Sequence, residues 1–550
     1  VASHSDISDT EQQVSYPKVR TTAKDKATGS HTGIIGEEVT IIDEVICNNL
    51  IVGKEYTIKG KLYNSDTGEV FLDDGKEVTA EKIFTADKKD MTVELEFTFD
   101  STSLAVGTIV VFEDLYHNEI KIASHADLED KEQHVSYPSV STKAMDKDTN
   151  SKSGAAKETA VITDTVECKK LVIGEIYTIK GSLHNTDTGE VLLDNGKEVI
   201  AEKTIIAVRK NMTTELEFTF NSSSLAGQTT TVFEELYTND IKVASHSDIS
   251  DTEQQVSYPK VRTTAKDKAT GSHTGIIGEE VTIIDEVICN NLVIGKEYTL
   301  KGKLYNSDTS EVFLDEGKEV TAEKIFTADK KDMTVELEFT FDSTSLAGGT
   351  IVVFEDLYHN EIKIASHADL EDKGQQVHYP VIHTSFKEAV NGGSEVSPEE
   401  SVILNDTVEI SNITIGDYYI VRGIVYDKTT NDKLIINDKE IKGYNEFVSN
   451  NSEIMTDVTF TIDASGLAGK DIVCYEYLYF IDKSGNEILI AEHADINDEG
   501  QTIRFTKPTP PPTPPVPHTG DRGYLGIAVI FLVSLSSLII LFTKKNKYSQ

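Results

Sequence analysis

The chain is predicted to be all-β: a tandem array of immunoglobulin-like antiparallel β-sandwich domains, followed by one C-terminal hydrophobic helix. Three observations predict it. The 550 residues exceed what one hydrophobic core organises, so several domains are required. The pattern H-x-D-x-x-D-x-x-Q occurs five times, starting at His4, His125, His246, His367 and His493. Between these, short runs rich in Thr, Val, Ile, Tyr and Phe alternate apolar and polar residues, which favours strands over helices.

The repeat sets the domain boundaries. Thr21, Thr142, Thr263 and Thr384 each follow a Tyr-Pro and are spaced 121 residues apart, an ordinary size for a single-core unit. Four units result: 17–137, 138–258, 259–379 and 380–506. Residues 1–16 carry His4 and Gln12 but no matching threonine, and read as the tail of a truncated repeat. Residues 1–135 nearly duplicate 243–377, so two repeat types alternate.

In the first unit, strands are predicted over 18–23, 39–47 and 55–63. A hairpin is predicted around Asp73-Asp74-Gly75, and further strands over 93–99, 108–116 and 119–123. Gln133 to Ser136 is predicted as the closing strand, and only Ser101 to Ala105 as a helical turn.

The net charge of −41 excludes nucleic acid as a partner, because phosphates would be repelled. The four cysteines neither pair within a unit nor form a C-x-x-C motif, so no disulfide framework or zinc site is implied. Cys47 follows Asp43 and Val45 in period 2 and reads as a small buried hydrophobe.

Two acids per unit stand where period 2 places apolar residues. Asp43 shares a face with Ile41 and Val45, and Glu113 with Val111 and Leu115; Asp164 with Glu234, Asp285 with Glu355 and Asp406 with Glu476 repeat the arrangement. Burial and a neighbouring carboxylate would both raise such a pKa, leaving one acid protonated. A hydroxyl (Thr21), a base (His125), proton-sharing acids and a carboxamide (Gln133) are the parts of an acyl transfer that releases ammonia. Proximity would replace a better leaving group, and no cofactor or metal is called for. Ser385 and Lys143 stand after Thr384 and Thr142, which points to the first residue of the Thr21-Thr22 pair as the nucleophile. A calcium site on His-x-Asp-x-x-Asp, a free-substrate enzyme and a Lys-Asn isopeptide crosslink are the competing chemistries.

On these residues the repeats resemble the VaFE, or Thr-Gln ester-bond, domains of Gram-positive surface adhesins, whose name-giving segment stands here as Val110-Val111-Phe112-Glu113. The resemblance implies a single-turnover autocatalytic crosslink between Thr21 and Gln133, Thr142 and Gln254, Thr263 and Gln375, and Thr384 and Gln501. It implies that Asp43, Glu113 and His125 assist, with Asp164, Glu234 and His246 in the second unit. Asp285, Glu355 and His367 serve the third, and Asp406, Glu476 and His493 the fourth. How the proton work divides among His, Asp and Glu stays open.

Beyond the repeats, 507–515 is a proline-rich spacer and 516–550 a separate signal. Val516-Pro517-His518-Thr519-Gly520 resembles the L-P-x-T-G sortase motif. It is followed by the apolar run Leu525 to Phe542, long enough for a membrane helix, and by Lys544, Lys545 and Lys547. The order implies a transient membrane segment, cleavage after Thr519, and a sortase that joins the chain to cell-wall peptidoglycan or a pilin. The expected function is a cell-surface adhesin stalk, with a host ligand bound through a region N-terminal to this sequence. The alternative is a ligand-binding array for a host protein or glycan.

Overall fold

The computed structural model describes residues 5–507; His4 and the whole sorting signal lie outside the described residues. Four β units follow one another, each with its own apolar core. Among the described residues no helix is long and apolar enough to cross a membrane.

In the first unit the strands are β1 (Lys18–Asp25), β2 (Val39–Asn48), β3 (Glu55–Asn64), β4 (Leu72–Asp73), β5 (Lys76–Glu77), β6 (Thr79–Thr85), β7 (Met91–Phe99), β8 (Thr108–His117), β9 (Ile120–His125) and β10 (His134–Ser136). One sheet is β1-β2-β7. The other runs β10-β8-β3-β6, with β9 also on β8. Alternation drives the layering: in β7, Val93, Leu95, Phe97 and Phe99 are buried while the residues between them are exposed. Pairing within the sheets is antiparallel, except that the fourth unit adds a short parallel pair, Glu395–Val396 with Arg504–Phe505.

Two features position the site. β9 pairs with β8 from Glu113 outward, and β10 pairs only with its first residues, Thr108 to Val110. The gap along β8 is filled by a 3₁₀ turn, Lys131–Gln133, capped by the Asp130 side chain, which accepts from the Glu132 N–H. Gln133 therefore belongs to this turn and not to the predicted closing strand. The second feature is Gly60, opposite Glu113 on β3: a Cβ there would lie 2.5 Å from Phe97 Cζ and 2.8 Å from Leu95 Cδ1. The opposite sheet closes down at the level of the acid because this position carries no side chain.

Successive units are joined by polar seams. Thr32 bonds Glu175 and the Tyr177 hydroxyl of the next unit, and Thr274 bonds Asp417 and Tyr419 likewise. Asn291 and Asn412, both in the left-handed region, donate to backbone carbonyls of the preceding unit. Ile34 and Ile276 each pack against two cores.

Gly60→Ala in the unit 17–137 should lower stability by about 1–3 kcal/mol through overpacking. Urea denaturation checks this; an unchanged midpoint would show that Phe97 gives way freely.

Candidate functional site

Thr21, Asp43, Glu113 and Gln133 come from β1, β2, β8 and the 3₁₀ turn, and meet between the two sheets. Asp43 and Gln133 are fully buried, Glu113 is 1% exposed and Thr21 5%. Thr22 points away, its Cα opposite Glu44.

The Gln–Thr contact recurs in every unit, and the Gln–Glu contact in the first three. Gln133 Nε2 donates to Thr21 Oγ1 at 2.6 Å and to Glu113 Oε2 at 2.8 Å. Gln254 donates to Thr142 at 2.9 Å and to Glu234 at 2.6 Å, and Gln375 to Thr263 at 2.8 Å and to Glu355 at 2.6 Å. In the fourth unit Gln501 donates to Thr384 and, at 3.4 Å, to Asp406. The partners are 112 residues apart in the first three units and 117 in the fourth.

β1 belongs to one sheet and the glutamine turn to the edge of the other, yet the two segments are neighbours. They meet across the sandwich, with the Ala265 N–H donating to Gly374 O and the Phe386 N–H to Gly500 O. The turn is tied to the central strand as well, since Val353 N–H donates to Gln375 O and Cys474 N–H to Gln501 O.

The two acids need a proton. If both were ionised, both oxygens of Asp43 and Glu113 Oε1 would be buried without a donor. One proton on Glu113 lets it donate to Asp43. Burial, then the charge of Asp43, holds the Glu113 carboxyl well above the usual range, while burial pushes Asp43 up to about 6. In the second unit the same causes bring Glu234 to about 10, and burial brings Asp164 to about 6. In both units burial and the neighbouring carboxylate favour a proton shared by the pair, and the glutamate is the acid raised further.

The histidines do not join this cluster by hydrogen bonds. His125 lies opposite Glu113 on β9, and its Nε2 bonds Asp130 Oδ2 at 2.9 Å on the half-exposed rim. His246–Asp251, His367–Asp372 and His493–Asp498 repeat the pair at 2.9, 2.8 and 2.7 Å. The positive charge of a protonated His125 favours the ionised Asp43. These aspartates were missed as site residues, although the sequence signal is the second Asp of each H-x-D-x-x-D. That Asp also caps the glutamine turn, so one residue contacts the histidine and holds the turn that carries the glutamine.

The fourth unit adds a thiol. Cys474 is buried, and its sulfur lies with carboxylate oxygens of Asp406 and Glu476 within 4.8 Å of one another. Val111, Val232 and Val353 stand there in the other units. Among the described residues this is the one grouping with a donor set of the kind a soft divalent cation takes.

The family model of the T-Q ester bond containing domain matches residues 17–137, 138–258, 259–379 and 380–505, so the chain belongs to this family. No curated protein matches. A solved bacterial adhesin from Mobiluncus mulieris, containing intramolecular disulfide, isopeptide and ester bond cross-links, is 16% identical over 46% of this chain and 88% of its own, with a TM-score of 0.21. A tetra-tandem repeat from the extending region of a large adhesion protein is 11% identical over 90% of this chain and 99% of its own, at 0.19. The C-terminal domain of the Streptococcus agalactiae polypeptide BspA is 12% identical over 41% and 97%, at 0.22. Likeness at this level adds nothing to the family assignment.

A Thr142→Ala unit should lose stability as pH rises. Glu234 and Asp164 bind protons more tightly folded than unfolded, so the native state holds more protons above the ordinary carboxylate range, and stability falls towards about 10. Urea midpoints at pH 5 and pH 8 check the sign. A higher midpoint at pH 8 would contradict a protonated Glu234.

Proposed function

We propose that the chain is a cell-surface adhesin stalk whose units each crosslink themselves once, through an ester between Thr and Gln. The observation that carries this reading is the buried contact of a Thr hydroxyl, a Gln carboxamide and a Glu oxygen in three units, with Thr and Gln meeting beside Asp406 and Glu476 in the fourth.

The step balances. Thr21 Oγ attacks Gln133 Cδ, and its proton passes to the ionised Asp43 of the same buried cluster. The C–N bond breaks, and Glu113, bonded to the departing nitrogen, gives it a proton. Ester and ammonia result, and the acid pair still holds one proton. Dry surroundings protect the ester from hydrolysis. Each unit reacts once, so it is not an enzyme of a free substrate. His125 and Asp130 act from the rim, by charge and by holding the turn.

Mechanics supplies the purpose. Tension enters a unit on β1 and leaves after the glutamine turn. With an ester between them the load bypasses the core, and only the nine residue steps from Gln133 to Thr142 extend, by at most about 3.3–3.6 Å each. Attachment would follow from the motif around Thr519, with a sortase joining Thr519 to peptidoglycan or a pilin. The ligand-binding array is the second reading, favoured by a lysine-lined recess between the second and third units.

Glu113→Gln should leave its unit folded but without its ester, because it removes the shared proton with little change of volume. Hydroxylamine-sensitive crosslinks resolved by peptide mapping check this; crosslinking at the normal rate would remove Glu113 from the reaction. Asp130→Asn should slow the reaction and not abolish it. In a sortase-bearing Gram-positive cell the chain should be freed by cell-wall digestion; release by detergent alone would contradict attachment at Thr519.

A further inference from the structure

Among the described residues, the junction of the second and third units forms a recess rich in lysine. It encloses about 600 Å³, within the range of ligand sites, and four lysines line it: Lys143 and Lys152 from one unit, Lys296 and Lys331 from the next. Glu253 is the single acid in the lining; it lies 3.6 Å from Lys143 and 3.8 Å from Lys152. Among the described residues Lys296 and Lys331 have no ion-pair partner. Lys152 is only 15% exposed at its side chain, and burial pushes it down to about 8.

The neighbouring junctions serve as internal comparisons. At the same four positions, 121 residues earlier, stand Thr22, His31, Glu175 and Lys210; 121 residues later stand Thr264, His273, Asp417 and Ser452. There the acid is used structurally: Glu175 and Asp417 accept from Thr32 and Thr274 of the preceding unit. At the basic junction Lys296 replaces that acid, and the seam is rebuilt without it, from Ser151 to His359 at 2.8 Å and from Ser153 to Tyr298 at 3.3 Å. Lys296 is left exposed and free to bind.

We propose that this recess binds an anionic polysaccharide, whose sulfate or carboxylate groups pair with Lys296 and Lys331 on one side and Lys143 on the other. Several lysines on two units call for a ligand with repeated charges. The other lining side chains include Asn150, Thr252 and Gln255, which suit sugar hydroxyls, and no aromatic residue on which a nucleobase could stack. The inference does not depend on the ester bonds, since the site lies on the surface between two units.

Binding of the full chain to immobilised chondroitin sulfate, hyaluronate and neutral dextran tests it, with soluble polyglutamate as competitor. Chondroitin sulfate binding stronger than hyaluronate binding would identify sulfate as the preferred group, and equal binding would identify carboxylate. Dextran should not bind. Affinity should fall with added salt. The double variant Lys296→Glu, Lys331→Glu should lose on the order of tenfold or more. Lys210→Glu, at the preceding junction, should bind like the parent, and all variants should keep the parent circular dichroism spectrum. No binding to either anionic polymer at low salt, an equal loss with Lys210→Glu, or competition by polyglutamate as strong as by the polysaccharide would overturn the proposal.

Discussion

Everything in a unit turns on one proton shared between two buried carboxyls. Asp43 and Glu113 sit on apolar faces of facing sheets, where an isolated charge is costly. Held as one acid and one carboxylate, the pair satisfies itself and accepts from Gln133, which also reaches the Thr21 hydroxyl. The same cluster is a weakness of the fold and the condition for its chemistry. The structure maintains it by closing the opposite sheet onto Gly60 and by capping the glutamine turn with Asp130.

Much of this was legible in the sequence. Alternation in Val93 to Phe99 gave a strand with one buried face, and the acids betrayed themselves by interrupting such alternation at Asp43 and Glu113. Repetition did the rest, because a fourth, diverged unit kept Thr384, Asp406, Glu476 and Gln501. β6 was underread: Thr79–Thr85 lies at a sheet edge with most residues exposed, so period 2 is not written in its apolar residues. Gln133 is predicted to open the closing strand, whereas the deciding feature, the Asp130 cap, is a side-chain bond to backbone that no periodicity records. His125 was assigned by residue type, and its real partner is five residues on.

The junctions were not legible at all. Lys143 and Lys331 come from different units, and no local pattern brings them together. Only the docked array shows that one junction is basic where the next is acidic. The seams also bear on mechanics: bonds such as Thr32 to Glu175, and isoleucines shared between cores, tie successive units to one another. Strength along the chain would then come from the esters, and resistance to bending from the seams.

The central claim is covalent, and intact mass of the folded, then denatured, chain tests it most directly. Four esters predict a mass lower than that of the sequence by four ammonias. Thr21→Ala should restore one of them and Thr22→Ala none. An unaltered mass in well-folded protein would contradict the account and leave the array held by non-covalent contacts alone.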